Sequence, residues 1–424
     1  MSIVSVLFIV AQSAGPFVPA AGASHPSAQV SALTELVAAL DVRNPELAVA
    51  RREIDVKRAR VTPADARPDP VVTFGYMAGV DRPPFFPAST DPFGYRQIGI
   101  SQEVPFGGTL TARKRAVEAD VSYATEGLEV TRAGLVEKLK TAYVDYLYAT
   151  RAREIVLRSK ATLDELARTA EARFSVGKAT QQDVLRAQLE VTRALARLTM
   201  LDADARQQRV EINRLLARPA DTDVPAIEPV VGDEGAESGL ALTHAAGHVP
   251  AHIAHHDAAV TLAELQVEAV KTERRPTLSF DFLVRNPGGG QPWMTGADVS
   301  VTLPLFWKRK QEPRLQEALA SVDVARADRD RILADVEAMA GSAHVQVEES
   351  RRLLALYADS LLPQTRLTSD AALAAYEVGN VDFLTLVSSS LAVFDVELAQ
   401  VEQQRQLRRA LVMLEPLVGR ELVK

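Results

Sequence analysis

The chain contains one structural pattern twice, and the two copies lie about 200 residues apart. Phe74 in the first copy corresponds to Phe280 in the second, and Gly177 corresponds to Gly379. Each copy reads as a helix, two extended segments, a very long helix, a turn and a shorter helix. A duplicated unit of hairpins and helices is typical of an assembly part, in contrast to an enzyme built around one cleft.

Apolar and polar residues alternate along the extended segments. Val72, Phe74 and Tyr76 lie on one side of the first segment, and Thr73 and Gly75 lie on the other. This period of two fits a lipid-facing barrel around a wet lumen and fits a half-buried soluble sheet equally well. The smallest membrane barrels need about 8 strands, so four strands close a barrel only with other subunits. The predicted strands are at about 71–79, 96–104, 277–284 and 297–304.

The loops between the strands of each pair are rich in proline, glycine and aromatic residues. We interpret them as surface loops at the outer mouth of a barrel. Their aromatic side chains are then candidates for anchors at a membrane interface. These residues are Phe85, Phe86, Phe93 and Trp293.

Two long stretches predict very long helices. Gly107 to Gly177 has no proline and, as one helix, spans about 105 Å at 1.5 Å per residue. Lys308 to Gly379 spans a similar distance. A shorter return helix follows each turn, and a further helix precedes each hairpin. Stacked end to end, the two shorter helices of a copy match the length of the long one.

The return helices carry a seam of apolar and small residues at steps of three and four. This spacing indicates closely packed, nearly parallel helices in coiled-coil geometry. The seam positions are Val184, Ala187, Val191, Ala194, Leu198, Leu201, Ala205, Gln208, Ile212 and Leu215, and they recur in phase from Leu386 to Leu417.

Composition excludes several classes of protein. The net charge of −7 argues against nucleic acid as a partner, since phosphate binding needs a clustered basic excess. The absence of cysteine excludes disulfides, thiolate metal sites and a lipid anchor on cysteine. No nucleophile with a base and no nucleotide loop is present, so we expect no enzymatic activity and no cofactor.

The termini and linkers divide the chain. Residues 1–23 are interpreted as a signal peptide, although no Lys or Arg precedes its apolar run. The first repeat is 24–218, an inter-repeat linker or equatorial segment is 219–239, and the second repeat is 240–424. No later run of about 18 apolar residues is evident, so we expect any membrane crossing to be made by strands.

Several short segments resemble the TolC-like outer-membrane factor family, the exit ducts of tripartite efflux pumps and type I secretion systems. The resemblance covers nearly all of the chain after Leu33, and its motifs are individually loose but jointly specific. They are Asn44-Pro45-Glu46-Leu47, the strand-to-helix joins at 102–108 and 301–306, and the turns at 174–177 and 376–379.

The resemblance implies a fold that is mainly α with a small β part. Three copies would form one twelve-stranded barrel in the outer membrane of a Gram-negative bacterium, four strands from each subunit, continued by a periplasmic α-helical coiled-coil tunnel. The implied partners are the other copies of a homotrimer, outer-membrane lipid, a periplasmic adaptor and an inner-membrane pump, with the resistance-nodulation-division type as the first choice. A type I secretion duct and a periplasmic coiled-coil scaffold or adaptor are the alternatives.

The same resemblance assigns roles to residues at the two turns. The adaptor-contact tips are Phe174, Val176, Gly177, Lys178, Tyr376, Val378, Gly379 and Asn380. A constriction is expected just after the turns, with Asp382, Thr385 and Asp183 as candidates. The serine run after Asp382 departs from the double-acid pattern of the best-known members, and an exposed helix cap is the alternative role for Asp382 and Asp183.

Five of the seven histidines cluster at the start of the second repeat. Imidazole suits Zn, Cu and Ni, so the cluster suggests the heavy-metal efflux branch and metal cations as cargo. Pro250 divides the cluster, and a solvated histidine-rich helix start is the preferred interpretation. The candidate ligands are His244, His248, His252, His255 and His256.

Overall fold

The computed structural model describes residues 32–77, 94–229, 250–287, 291–419 and 421–423. The signal-peptide interpretation, the loop aromatics Phe85, Phe86 and Phe93, and His244 and His248 all lie outside the described residues. In the first repeat the elements are α1 (Ala32–Arg43), α2 (Pro45–Ala59), α3 (Val61–Ala64), β1 (Val71–Met77), β2 (Tyr95–Pro105), α4 (Thr109–Ser175) and α5 (Gln181–Leu215). In the second they are α6 (Ala251–Thr272), β3 (Thr277–Asn286), β4 (Met294–Thr302), α7 (Trp307–Leu356), a π-helical turn (Tyr357–Leu361), α8 (Leu362–Glu377) and α9 (Phe383–Val418).

The strands form one four-stranded antiparallel sheet in the order β1-β2-β3-β4. The two hairpins pair through β2 and β3, so the sheet joins the two repeats. The end of β2 lies level with the start of β3 and the end of β4, because Pro105 pairs with Thr277 and Thr277 pairs with Thr302. All four strand-to-helix joins therefore lie at one end of the sheet.

The first two of the three helices before the first hairpin are separated by a break at Asn44, where Pro45 begins α2. The Asn44 side-chain oxygen accepts hydrogen bonds from the backbone N–H groups of Glu46 at 2.8 Å and Leu47 at 3.2 Å. Its amide nitrogen donates to the Leu215 carbonyl at 2.9 Å. One buried side chain thus caps α2 and ties it to the end of α5.

The second long helical stretch is interrupted by the π-helical turn, whereas α4 is continuous. Pro363 lies in the first turn of α8, and the proline ring clashes with the carbonyl four residues earlier in a regular α-helix. That carbonyl belongs to Asp359, within the π-helical turn. The wider turn therefore accommodates the proline without ending the helix.

The helices pack side by side. α4 contacts α2, α5, α6 and α9, while α9 also contacts α7 and α8. One apolar core joins α1, α2, the middle of α4, the end of α5 and the end of α9, and a second lies nearer the turns. The α5 seam is buried as predicted at most of its positions, namely Ala187, Ala194, Leu198, Leu201, Ile212 and Leu215.

A buried ion pair fixes the C-terminal end of α9. Lys140 Nζ lies 2.7 Å from Glu415 Oε2 and donates to the Val423 carbonyl at 2.8 Å. Glu415 Oε1 accepts the backbone N–H groups of Leu422 and Val423 at 2.9 and 2.7 Å. The last residues of the chain are therefore folded back into the core by a single charged pair.

The described part of the inter-repeat segment packs on the helices. Residues 219–229 lie beside α4, where the Tyr143 hydroxyl donates to the carbonyls of Pro225 and Ile227 and the Tyr146 hydroxyl donates to that of Val224. Val224 is buried. This part of the segment is a strap on the helical body.

The expectation that no later segment is apolar enough to span a membrane is wrong for α9. Among the described residues, α9 is the one helix that is long and apolar enough to do so, by length and composition only. It packs against α4, α7 and α8, and 17% of its most apolar 18-residue window is buried within the single chain.

Candidate functional site

One face of the sheet is apolar and exposed. Ile98 on β2 lies opposite Phe74 on β1 and Val284 on β3, while Phe282 lies opposite Ala297 on β4. Phe74 is 77% exposed in the single chain, and the large side chains along this face are exposed with it. A contiguous apolar surface of this kind is unfavourable in water and marks a membrane or protein contact. Trp293, the loop aromatic that the structure describes, is also exposed, at 67%.

The opposite face is mainly polar, although it also carries Val71, Met77, Leu283 and Met294. The hydroxyls of Ser101 and Ser279 are hydrogen-bonded at 3.0 Å across β2 and β3. The Arg285 guanidinium lies 4.1 Å from the centre of the Tyr95 ring and donates to Gln97 Oε1 at 3.3 Å. This division into an apolar and a polar face is what a barrel strand requires between lipid and water.

Two carboxylates on the polar face are cross-strand neighbours that the sequence reasoning did not single out. Asp281 on β3 lies directly opposite Asp298 on β4, and Asp281 Oδ2 is 3.4 Å from Ser300 Oγ. Like charges directly opposite each other destabilise a sheet. The alternation along β3 and β4 places both carboxylates on the polar face. Only the register between the two strands shows that they lie opposite each other.

The turns at the far ends of the long helices have the same geometry in both repeats. Gly177 has φ 71° and Gly379 has φ 78°. The N–H of Lys178 donates to the Arg173 carbonyl, and the N–H of Asn380 donates to the Ala375 carbonyl, both at 2.8 Å. This Schellman-type ending needs a left-handed residue, which glycine adopts without steric cost.

The predicted tip residues differ in exposure. Phe174, Val176, Lys178, Val378 and Asn380 are exposed, together with the two turn glycines. Val176 is 66% and Val378 is 70% exposed, which is high for apolar side chains at the tips of a helical hairpin.

Tyr376 does not fit the predicted tip set, because it is buried. Its ring lies 5.9 Å from that of Phe383 and 4.2 Å from the Arg173 guanidinium, measured between ring centres or to the guanidinium carbon. It corresponds in position to Phe174, which is exposed. Tyr376 thus packs the two tips of one chain against each other and presents no free surface to a partner.

Asp183 and Asp382, the two constriction candidates with a carboxylate, each cap the start of a helix. Asp183 accepts the Thr180 N–H at 2.9 Å, and Thr180 Oγ1 accepts the Asp183 N–H at 3.2 Å, which is a capping box. Asp382 Oδ1 accepts the Thr385 N–H at 2.9 Å. Hydrogen bonds from Thr385 hold the pKa of the Asp382 carboxyl below its ordinary value. The capping role, which was the alternative interpretation, is the observed one in the single chain.

The histidines in the described part of the chain do not form a metal site. Within that part, no group of three or more His, Cys, Asp or Glu side chains is arranged to hold a metal ion. The His255 ring stacks on Tyr123 with 4.2 Å between ring centres, and His255 Nδ1 lies 3.2 Å from the Tyr123 carbonyl. Burial lowers the pKa of His255. His255 therefore packs α6 against α4, and His256 touches it edge-on.

Comparison with known proteins agrees with this architecture. Residues 36–218 match the family model of the outer membrane efflux protein. The outer membrane efflux protein BepC of Brucella suis biovar 1 (strain 1330) is 21% identical over 390 residues, covering 89% of this chain and 83% of BepC. Nodulation protein T of Rhizobium leguminosarum bv. trifolii is 23% identical over 390 residues, covering 85% and 80%. The solved outer-membrane channel OprN superposes with a TM-score of 0.76 at 20% identity, covering 92% of this chain and 90% of OprN.

The fold is that of solved outer-membrane channels such as OprN. The first repeat is similar to the outer membrane efflux protein family, whose model matches its residues 36–218.

Proposed function

We propose that three copies of the chain form a passive exit duct of a tripartite efflux system. The observation that carries the proposal is the sheet itself, which has four strands, two unpaired edges and an exposed apolar face. Three such sheets give twelve strands, enough to close a barrel, with the apolar faces toward lipid and the polar faces toward the lumen. The helices then continue the wall into the periplasm. A periplasmic scaffold would leave the apolar face in water, which argues against that alternative.

The proposed partners follow from the two ends of the duct. Outer-membrane lipid covers the apolar sheet face. At the other end, the exposed apolar tips, Val176 and Val378, meet a periplasmic adaptor, which receives solutes from an inner-membrane pump. A pump of the resistance-nodulation-division type is the first choice, and a type I secretion pump is the second. The proposal does not extend to metal cations as cargo, because His255 is engaged by Tyr123.

Opening of the duct is proposed to occur at the tips, where Asp382, Thr385 and Asp183 lie. Each carboxylate caps a helix within the chain, so a ring of three Asp382 side chains would use the oxygen that the cap leaves free. The capping box of Thr180 and Asp183 fixes the first turn of α5, and Asp382 fixes the first turn of α9. The two helices that begin at the tips are therefore rigid at these ends. An adaptor bound to the tips would then move them as units.

The turn glycines provide the test of the tip assignment. A Cβ at Gly177 or Gly379 would meet no atom within 4 Å, so a substitution there acts on the backbone alone. The left-handed conformation costs a β-branched residue about 1–2 kcal/mol, whereas Asn tolerates it. Gly177→Val and Gly379→Val should therefore distort the tips, and Gly177→Asn should not.

We expect the Val variants to reach the outer membrane as trimers and to fail to restore efflux in cells that lack the wild-type chain. Gly134→Val is the matched control, because a Cβ at this α4 glycine also meets nothing within 4 Å and its φ is not left-handed. Efflux should be measured on a panel of dyes, detergents, metal salts and antibiotics. Normal efflux by both Val variants would remove the tip assignment.

A further inference from the structure

The apolar face of the sheet continues beyond the strands at the end where all four joins lie. Phe106 follows β2 and is 51% exposed, and Leu305 and Phe306 follow β4 and are 77% and 78% exposed. Trp307, the first residue of α7, is 40% exposed. Aromatic side chains at the end of a membrane-facing strand are typical of the level of the lipid headgroups.

Basic residues follow these exposed rings closely in the sequence. α4 contains Arg113-Lys114-Arg115 near its start, and α7 begins with Lys308-Arg309-Lys310 after Trp307, in a chain of net charge −7. Lys114 pairs with Asp65 at 2.7 Å. Within the described part of the chain, Arg113, Arg115, Arg309 and Lys310 have no ion-pair partner. The Lys308 ammonium lies 5.7 Å from the centre of the Trp307 ring.

The position of the second basic triplet is unfavourable for the helix that carries it. Lys308, Arg309 and Lys310 lie in the first turn of α7, where the helix dipole is positive and favours acidic residues. α7 has no acidic residue in its first turn. Helix stability therefore does not account for the triplet. Cations and exposed rings at one place instead form a surface that attracts anions at an apolar border.

We propose that this surface binds the anionic phospholipid headgroups of the periplasmic leaflet of the outer membrane. We call it the border belt, and it consists of Phe106, Leu305, Phe306, Trp307, Arg309 and Lys310. The apolar sheet face lies in the hydrocarbon, the rings lie at its border, and the free cations reach the headgroups. The helices leave the sheet at this same end, so the belt faces the periplasmic leaflet. This inference rests on the proposed barrel and on its insertion in the membrane.

The chain offers a local probe of the border belt, because it contains two tryptophans, Trp293 and Trp307. In a Trp293→Phe variant, Trp307 is the sole tryptophan. The full-length variant is reconstituted in neutral phosphatidylcholine that contains a small fraction of either dibrominated phosphatidylglycerol or dibrominated phosphatidylcholine. Bromine quenches tryptophan at short range, so the quenching reports which lipid lies beside Trp307.

We expect about fivefold preferential binding of the brominated phosphatidylglycerol, reduced by added salt because cations near the surface act through screened attraction. Arg309→Gln with Lys310→Gln in the same background should lower the ratio to about 1. Arg351→Gln with Arg352→Gln is the matched control. This adjacent pair lies near the other end of α7, about 60 Å away at 1.5 Å per residue, and its replacement should leave the ratio unchanged.

The outcomes separate this inference from the proposed function. Equal quenching by the two brominated lipids would overturn headgroup binding while leaving the inserted barrel intact. A preference that persists in the Arg309 and Lys310 variant would equally overturn it. Absence of quenching by both lipids would show that Trp307 is not near lipid and would overturn the border belt, and channel conductance of the same preparation would show whether the barrel is inserted.

Discussion

Removal of the Lys140 ammonium should destabilise the helical body far more than removal of a surface cation. The Lys140 side chain is 2% exposed and that of Glu415 is 9% exposed. In Lys140→Met the apolar stem is kept, but Glu415 loses its charged partner and the Val423 carbonyl loses its donor. Breaking one partner of a buried ion pair costs about 3–5 kcal/mol, because the remaining charge is left in a medium of low polarity.

The loss of unfolding free energy in Lys140→Met should depend on pH. Burial raises the pKa of Glu415 above its ordinary value, and the attraction of Lys140 opposes this rise. A carboxyl with a raised pKa in the folded protein holds its proton longer than in the unfolded chain. Its contribution to stability therefore falls as pH rises from the ordinary pKa to the raised one. Without Lys140 the pKa of Glu415 rises further, so the deficit of Lys140→Met should be smallest near pH 5 and largest near pH 8.

The double variant Lys140→Met with Glu415→Gln tests the cause. The amide oxygen of Gln can still accept the Leu422 and Val423 N–H groups, but no charge is left in the core. We expect it to recover at least about 1–2 kcal/mol of the loss at pH 8 and to show little of the pH dependence.

The assay is guanidinium chloride unfolding in detergent at fixed protein concentration, followed by far-ultraviolet circular dichroism. Arg52→Met is the control, since Arg52 pairs with Asp55 on the surface, where the two side chains are 86% and 55% exposed. Such an exposed pair contributes about 0–1 kcal/mol. The account is refuted if Lys140→Met unfolds at the same midpoint as Arg52→Met at pH 8, or if the double variant is no more stable than the single one.

Three further results are expected. Asn44→Ala should lower the free energy of unfolding by about 2–3 kcal/mol, because it removes the cap of α2 and the buried bond to α5, and Asn44→Asp should restore the cap alone. Asp281→Asn with Asp298→Asn should lower the cation-over-anion permeability ratio of the channel by at least about twofold, measured as the reversal potential in a salt gradient, because both carboxylates lie on the polar sheet face. Cysteines placed at Thr73 on β1 and Ser300 on β4, in a chain that has no cysteine of its own, should give covalent dimers and trimers on oxidation. An unchanged midpoint, an unchanged reversal potential or a product that stays monomeric would contradict the respective assignment.

The sequence predicts most of the architecture because its periods are regular. The structure contains both the strands predicted from alternation and the apolar seam of α5 predicted from steps of three and four residues. Both patterns are readable because each places one kind of side chain on one complete face of its element. The pairing of β2 with β3 is not visible in the sequence, because it depends on how the two repeats meet. The cross-strand approach of Asp281 and Asp298 follows from β3–β4 register, and for that reason it was missed.

The candidate site was less predictable at single residues. Tyr376 and Phe174 occupy the same place in the two repeats, yet Tyr376 is 7% and Phe174 is 48% exposed. The difference arises from Arg173 of the first repeat and Phe383 of the second, which both contact the tyrosine ring. Likewise, the ring of His255 is engaged by Tyr123 of the preceding repeat. Equivalent positions in a duplicated chain therefore share backbone geometry while their side chains meet different neighbours.

Planar-bilayer recording on the purified full-length protein tests the central claim most directly. The account predicts that the protein extracted from the outer membrane is a trimer by native mass spectrometry and conducts ions as one channel per trimer. A monomeric or soluble periplasmic species that produces no conductance in the same bilayers would contradict it.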